Sequence, residues 1–347
     1  MSSNQQVLLG LASGTAPIYY IAISHSTTPF VSAYPWSASG FGVKKSDPGT
    51  LPASTGNGVA FSHGGSNYIA VAHDVSPYVS AYPWSAAGFG AKFSNPGTLP
   101  AGNGTEVAFS PAGTEIAVAH NITPWVSAYP WSSSGFGSKF SNPATVPTGY
   151  PAGVAFSPAG TEIAVAHDVS PYVSAYPWSA AGFGVKFSNP GTLPTGQGYG
   201  VAFSPAGTEI AVAHNASPFV STYHWSSSGF GTKFTNPSTL PTTYCSVVSF
   251  SPAGTAIALS QTSTPYVVAY PWSASGFGAK YTAPTTPPPG VVNALSFSPS
   301  GTEIVTAGGT SPYVASYQWS SGFGTKLSDP GTTPTGIGTG VSFSSLI

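Results

Sequence analysis

Histidines recur at matching places along the chain and are the side chains best suited to hold a metal ion. The set consists of His25, His73, His120, His167 and His214, with Gln261 and Gly308 at the two remaining equivalent positions. A zinc site needs ligand atoms that all lie about 2.1 Å from one ion. Histidines from separate copies of a repeat cannot converge in this way, and two copies lack the ligand. We therefore expect no metal site and interpret these histidines as buried hydrogen-bonding residues.

The nine Asp and Glu residues give little support for acid-base catalysis. Most stand at repeated turn positions, as Glu115, Glu162, Glu209 and Glu303 do. An active site needs acids, bases and hydrogen-bond donors that converge in one asymmetric pocket. No Ser-His-Asp set and no carboxylate pair stands out from the repeats, which are nearly alike. The sequence therefore predicts no catalytic residue, no cofactor and a protein that is not an enzyme.

An aromatic residue follows the loop proline in every repeat and is the best candidate for contact with a ligand at the surface. These seven residues are Phe30, Tyr78, Trp125, Tyr172, Phe219, Tyr266 and Tyr313. Aromatic rings offer flat apolar faces that can bind sugars or proteins. Packing in the core is nevertheless the interpretation that we favour for this set. It is also the interpretation we favour for the repeated tryptophans and for the Phe of each Gly-Phe-Gly.

Seven copies of one unit of about 47 residues position these side chains. The Trp of an aromatic-X-Trp-Ser motif stands at positions 36, 84, 131, 178, 225, 272 and 319. The Phe of a Gly-Phe-Gly motif follows at positions 41, 89, 136, 183, 230, 277 and 323. Self-similarity at a fixed period is typical of repeat architectures. Because repeats of this kind form one cooperative object, we interpret residues 1–347 as a single domain.

Each unit contains four segments with the alternation typical of β-strands. In the third copy they are residues 107–110, 115–120, 125–131 and 137–141, separated by turns rich in Gly, Pro, Ser and Asn. No segment has a helical period. Four short strands in every unit, repeated seven times, predict an all-β fold. The predicted fold is a seven-bladed β-propeller with four antiparallel strands in each blade.

The alternation also predicts how the blades pack and how the ring closes. In the strand at 115–120, Ile116 and Val118 share one face while Ala117 and Ala119 share the other. Bulky faces can therefore stack on small faces around the ring. Eight segments resemble an innermost strand, one more than seven blades need. We expect residues 341–345 to supply the innermost strand of the first blade, with residues 7–12 in or beside that blade.

Lysine is the only cationic residue type besides His, and it too follows the repeat. One Lys stands after each Gly-Phe-Gly motif, at positions 44, 92, 139, 186, 233, 280 and 326. A Lys on an outer edge strand blocks pairing with other chains, which is our preferred interpretation. A ring of cations that binds an anionic partner is the alternative.

Composition excludes several classes of partner. Charged residues make up 5% of the chain, the net charge is -1, and Arg is absent. Nucleic-acid binding needs clustered cations, and membrane insertion needs a long apolar segment or a basic amphipathic face. The sequence shows none of these. The first residues lack the cationic start of a secretory signal. We therefore expect no nucleic-acid partner and no membrane insertion.

The segment Phe-Ser-Pro-Ala-Gly-Thr-Glu-Ile-Ala-Val-Ala-His, at 109–120, resembles the inner hairpin of WD-repeat and YVTN-type propellers. The resemblance covers the whole chain blade by blade. It departs from the WD pattern because Ser follows each Trp and no Gly-His pair precedes the inner strand. The WD hydrogen-bond network is therefore not carried over. The Ser-Ala-Tyr-Pro-Trp-Ser and Gly-Phe-Gly phrases also look similar to repeat propellers encoded by tailed bacteriophages.

The phage resemblance implies a non-enzymatic ring in a virion, as a decoration, tail or host-adhesion protein. The partners expected on this hypothesis are other virion proteins or a host-surface glycan. The expected location is the virion, after synthesis in the host cytoplasm, with a cytoplasmic protein as the alternative. An intracellular WD-repeat-like scaffold and a multivalent lectin are the other functions that the sequence leaves open.

Overall fold

The computed structural model describes residues 19–63 and 67–345, and these form seven four-stranded antiparallel sheets. The predicted all-β, seven-bladed propeller with four strands in each blade is confirmed. Among the described residues, no helix is long and apolar enough to cross a membrane. We number the blades 1–7 from the N-terminus and name the strands of each blade from the centre of the ring outward.

The strands recur with nearly constant bounds. The innermost strands of blades 1–7 are Gly338–Phe343, Gly56–Phe61, Gly104–Phe109, Pro151–Phe156, Gly198–Phe203, Val248–Phe250 and Val292–Phe297. The second strands are Tyr19–His25, Tyr68–His73, Glu115–His120, Glu162–His167, Glu209–His214, Ala256–Ser260 and Glu303–Gly308. The third strands are Val31–Ser37, Val79–Ser85, Val126–Ser132, Val173–Ser179, Val220–Ser226, Val267–Ser273 and Val314–Trp319. The outermost strands are Gly40–Phe41, Gly88–Phe89, Gly135–Phe136, Gly182–Phe183, Gly229–Lys233, Gly276–Phe277 and Phe323–Lys326.

The outermost strand differs from its prediction. In blade 3 it covers Gly135–Phe136 and not residues 137–141. The cause is Pro130 on the third strand, which has no N–H to donate to a neighbouring strand. Two blades carry His224 or Gln318 at the position of this proline, and in these two the outermost strand continues to Lys233 or Lys326. A single proline in the third strand therefore sets the length of the fourth.

Blades pack with a bulky face against a small one, as the alternation predicts. Ala70 and Ala72 of blade 2 lie against Ile116, Val118 and Trp131 of blade 3 in one buried cluster. The seven repeated tryptophans are 2–6% exposed, which confirms their place in the core. Each meets the Phe of its own Gly-Phe-Gly edge to face, with ring centroids 4.8–5.1 Å apart. Such aromatic pairs add about 0.5–1.5 kcal/mol beyond the burial of area.

The C-terminal segment closes the ring. Gly338–Phe343 pairs with Tyr19–His25 and forms the innermost strand of blade 1, as predicted. The backbone N–H of Tyr20 donates to Oγ of Ser344 at 2.9 Å, and the N–H of Ser344 donates back to the carbonyl of Tyr20 at 2.8 Å. The predicted second segment, at residues 7–12, lies outside the described residues.

Candidate functional site

The innermost strands surround a central channel that contains a cavity of about 200 Å³. Residues at the start of every innermost strand line this cavity, so all seven blades contribute. In blade 3, Gly104 at the start of the innermost strand pairs with His120 at the end of the second strand. The cavity therefore lies toward the face of the ring that carries the loops between second and third strands.

A belt of hydrogen bonds links neighbouring blades around this channel. A side chain on the channel wall donates to the backbone carbonyl at the start of the next blade's innermost strand. The pairs are Asn57 with Gly104, Thr105 with Pro151, Ser246 with Val292, Asn293 with Gly338 and Thr339 with Gly56. We call these five bonds the channel belt. These bonds give the backbone carbonyls on the channel side a hydrogen-bond donor from the neighbouring blade.

Two channel positions lack a bond of this kind among the described residues, and both lie on one side of the ring. Ala152 in blade 4 has no donor to offer. Tyr199 in blade 5 donates instead to Oε1 of Gln197 at 3.0 Å and stacks edge to face on Tyr244, with centroids 4.7 Å apart. The channel wall is therefore asymmetric although the repeats are nearly alike.

Glu106 is the residue that departs most from the repeat. The equivalent positions in the other six blades are Gly58, Gly153, Gly200, Val247, Ala294 and Gly340. Glu106 lines the cavity, next to Ala152 and Gly153 of the following blade. Its carboxyl group lies against Gly58 of the preceding blade, whose lack of a side chain leaves the necessary space. One ionisable group thus stands in a ring of small apolar residues.

The surroundings of Glu106 favour its neutral form. The side chain is half-buried: it lines the channel cavity, and residues of the neighbouring blades pack beside it. Burial raises the pKa of the Glu106 carboxyl to about 8, and a hydrogen bond from the backbone N–H of Val107 at 2.9 Å opposes this shift. Desolvation is the dominant cause, because it penalises the charged form. A carboxyl group with this pKa can both accept and donate a proton near neutral pH.

Two carboxylates and further tyrosines stand near the mouth of the channel. Nδ2 of Asn57 donates to Oδ1 of Asp74 at 2.7 Å. Burial raises the pKa of the Tyr150 hydroxyl, and the charges of Asp74 and Asp168 raise it further. Burial likewise raises the pKa of Tyr199, with Asp168 adding to the shift. Asp168 therefore acts on both tyrosines, and Asp74 acts on Tyr150.

The five histidines do not form a metal site. Nε2 of each bonds to a Ser Oγ of the third strand at 2.9–3.1 Å; the pairs are His25 with Ser32, His73 with Ser80, His120 with Ser127, His167 with Ser174 and His214 with Ser221. The interpretation as buried hydrogen-bonding residues is confirmed. Within 19–63 and 67–345, no group of three or more His, Cys, Asp or Glu side chains could hold a metal ion.

The seven aromatic residues proposed as surface contacts are half-buried, on the same face as the channel cavity. All seven have a left-handed backbone, with φ between 64° and 74°. Tyr78 is representative: its N–H donates to the carbonyl of Val75, and its own carbonyl accepts from the N–H of His73. The backbone of these residues closes the loop. Ligand contact by Phe30, Tyr78, Trp125, Tyr172, Phe219, Tyr266 and Tyr313 stays a prediction.

Glu106 was missed by sequence reasoning, although the sequence contains a signal for it. Glu106 stands alone in the sequence, so it belongs to no Ser-His-Asp set and to no carboxylate pair. Aligning the seven copies on the Phe that ends each innermost strand places Glu106 among glycines and small apolar residues. A single polar exception in an otherwise apolar column is that signal.

Comparison with known structures supports the fold over 94–96% of the chain. No protein-family model matches the sequence, and neither does any curated protein sequence. A candidate 6-phosphogluconolactonase from Bacteroides uniformis superposes with a TM-score of 0.73 at 16% identity, covering 94% of this chain and 100% of that one. The periplasmic gluconolactonase of Pseudomonas aeruginosa gives 0.71 at 16% identity, covering 95% and 100%. A candidate 6-phosphogluconolactonase from Bacteroides fragilis gives 0.69 at 12% identity, covering 96% and 99%. At these identities the likeness shows the fold.

These findings correct the functional prediction. The expectation of a non-enzymatic ring, whether in a phage virion, as a scaffold or as a lectin, is wrong, because propellers of this fold include proteins named as lactonases. The similar structures say nothing of a WD-repeat or phage relationship. The physical reason for the error lies in the channel: near-identical blades hid the asymmetry that Glu106, Ala152 and Tyr199 create.

Proposed function

We propose that this protein is a hydrolase that opens a lactone, a cyclic carboxylic ester, in its central channel, with Glu106 as the general base. The observation that carries the proposal is one carboxyl group with a pKa of about 8, placed in a cavity formed by all seven blades. Perturbed groups in clefts are candidates for acid-base catalysis. The names of the similar propellers support the same class of reaction.

The reaction needs one water molecule and one proton carrier. Ionised Glu106 takes a proton from water while the water oxygen attacks the lactone carbonyl carbon. The tetrahedral intermediate then collapses, the bond from the carbonyl carbon to the ring oxygen breaks, and Glu106 returns the proton to that oxygen. The product is the open hydroxy acid, which releases its own proton near neutral pH. Glu106 ends ionised and ready for another turnover.

The backbone of the channel wall can stabilise the charge that develops on the carbonyl oxygen. Each innermost strand has a strand partner on one side only. Some of its backbone N–H groups therefore form no hydrogen bond to another strand. Backbone N–H groups held in a fixed position are effective donors to an oxyanion, because they need no reorganisation during the reaction. Ala152 and Gly153, beside Glu106, leave room for a substrate to reach such groups.

The test is hydrolysis of D-glucono-δ-lactone above its spontaneous rate, followed by acid release at constant pH. Glu106→Gln should lower kcat/KM by about 100-fold or more, since removal of a general base typically costs 10²–10⁴-fold. Glu115→Gln is the matched control: it lies in the same blade but outside the cavity. We expect it to leave the rate unchanged. Equal rates for the native protein and Glu106→Gln would overturn the proposal.

A further inference from the structure

We infer that the channel site takes an uncharged, hydroxyl-rich lactone of about one sugar ring and discriminates against a phosphorylated one. This inference rests on the proposed function and deepens it by naming the substrate class. The names of the similar propellers refer to two substrates, one phosphorylated lactone and one without phosphate, and the inference selects the second. The distribution of charge and the size of the cavity both support it.

No basic side chain lines the described part of the channel. The chain contains no Arg, and all eight Lys stand in or next to the outermost strands. Three strand spacings, about 14 Å, separate an outermost strand from the innermost one. The residues outside the described ranges, 1–18, 64–66 and 346–347, contain no Lys, Arg or His. A phosphate group in the channel would therefore lack the Lys or Arg partner that such groups usually have.

Seven of the eight lysines also bond to an oxygen atom at the outer edge of the ring. Six of them bond to an Asn or Asp three residues later; the pairs are Lys44 with Asp47, Lys92 with Asn95, Lys139 with Asn142, Lys186 with Asn189, Lys233 with Asn236 and Lys326 with Asp329. Lys45 donates to the carbonyl of Ala86 on the next blade. These bonds hold the positive charge at the rim of the ring.

The mouth of the channel is negative. Asp74 and Asp168 act electrostatically on Tyr150, and Asp168 also acts on Tyr199, which lines the cavity. Glu106 adds a third negative charge in the ionised form that the reaction requires. A dianionic phosphate close to these carboxylates is repelled, and the repulsion strengthens where water is excluded. Like-charge placement of this kind is a recognised source of specificity.

The remaining wall suits a small polyol. Asn57, Thr105, Ser246, Asn293 and Thr339 bring neutral polar side chains to the cavity, and Tyr199 brings an aromatic face. The hydroxyl groups of a sugar can hydrogen-bond to these polar side chains, and the apolar face of its ring can stack on Tyr199. The cavity of about 200 Å³ is smaller than the roughly 300–1,000 Å³ typical of drug-sized ligands. It therefore fits a single ring.

The experiment compares D-glucono-δ-lactone with its 6-phosphate as substrates of the native protein. We expect kcat/KM to be at least tenfold higher for the uncharged lactone. Replacing both carboxylates at the mouth of the channel, Asp74→Asn with Asp168→Asn, should lower the ratio of the two kcat/KM values by raising kcat/KM for the phosphorylated lactone. Asp329→Asn is the matched control, because other blades carry Asn at that position; it should leave the ratio unchanged. Binding is measured separately, by titrating Glu106→Gln with glucose and with glucose 6-phosphate.

The outcomes distinguish the substrate class from the proposed function. Hydrolysis of the phosphate at least as fast as that of the neutral lactone overturns the substrate class and leaves the proposed function standing. Tighter binding of glucose 6-phosphate than of glucose by Glu106→Gln overturns it as well. Hydrolysis of neither lactone above the spontaneous rate overturns the proposed function, and the substrate class with it.

Discussion

A Cβ atom on Gly58 would overlap Oε1 of Glu106, so the carboxyl group occupies the space that any larger residue at position 58 would need. The two residues belong to neighbouring blades, and they stand at the same place in the repeat. The glycine of blade 2 therefore leaves the space that the Glu106 carboxyl group of blade 3 occupies. This relationship ties the geometry of the candidate site to a residue that has no functional group of its own.

Replacing Gly58 by Ala should displace the Glu106 carboxyl group. We expect lactone hydrolysis to fall by about 100-fold, since a misplacement of about 1 Å can have this effect. The melting temperature should change little, because the side chain of Glu106 can move into the channel. Gly97→Ala is the control, as nothing lies within 4 Å of a Cβ at that site. Full activity in Gly58→Ala would show that the position of Glu106 does not matter.

The raised pKa of Glu106 predicts a specific dependence of stability on pH. The pKa is about 8 in the folded protein against an ordinary value of 4.5. Between these values the folded chain binds more protons than the unfolded chain, so stability from this group falls as pH rises. The native protein should therefore lose several degrees of melting temperature relative to Glu106→Gln between pH 5 and pH 9. Parallel curves for the two proteins would contradict an elevated pKa.

The buried histidines predict the opposite dependence at lower pH. Burial lowers the pKa of His25, His73, His120, His167 and His214 to about 4, from 6.5. Between pH 6.5 and pH 4 the unfolded chain binds more protons, so stability falls as pH falls. His120→Gln, which copies the Gln261 of blade 6, should reduce the loss of melting temperature between pH 7 and pH 5. The exposed His224→Gln serves as control, and an equal change in both variants would refute the prediction.

The fold was predictable from the sequence because strands alternate and the repeat multiplies every signal by seven. Glu115–His120 was predicted with its observed bounds, and the closing strand near Val341 was placed in the correct blade. The outermost strand was placed too late, since the effect of Pro130 on the neighbouring strand depends on pairing. Pairing between strands is not visible in a single segment.

The candidate site was not predicted, for a related reason. The repeats make the shared residues easy to recognise, whereas the candidate catalytic residue occurs in one repeat only. The raised pKa of Glu106 depends on burial by several blades, and Gly58 meets it only when the ring has closed. The predicted partners and location, and ligand contact by the loop aromatics such as Tyr78 and Trp125, stay predictions.

Closure of the ring by the C-terminal strand should dominate stability. Phe343 is 5% exposed and meets Trp36 edge to face, with centroids 5.3 Å apart. Phe343→Ala should reduce the free energy of unfolding by about 3–5 kcal/mol, which is typical of a Phe deleted from a core. Phe250→Ala, at the equivalent position of blade 6, is the matched control. Chemical denaturation measures the free energy of unfolding of both variants.

Deleting residues 338–347 should have a far larger effect than either substitution, because it also removes a row of backbone hydrogen bonds and leaves Tyr19–His25 without its inner partner. A truncated chain that melts at the same temperature as the native protein would show that the ring does not depend on this strand.

The gap in the channel belt at Ala152 predicts a variant that is more stable and less active. In blade 3, Oγ1 of Thr105 donates to the carbonyl of Pro151 at 2.9 Å; a Thr at position 152 would reach the carbonyl of Gly198 in the same way. Ala152→Thr should gain about 1 kcal/mol, the usual net value of such a bond. The added side chain also fills space beside Glu106, so lactone hydrolysis should fall. Ala152→Val has the same shape without the donor, and it should lose activity without gaining stability. If Ala152→Val raises the melting temperature as much as Ala152→Thr does, added packing and not the hydrogen bond is the cause.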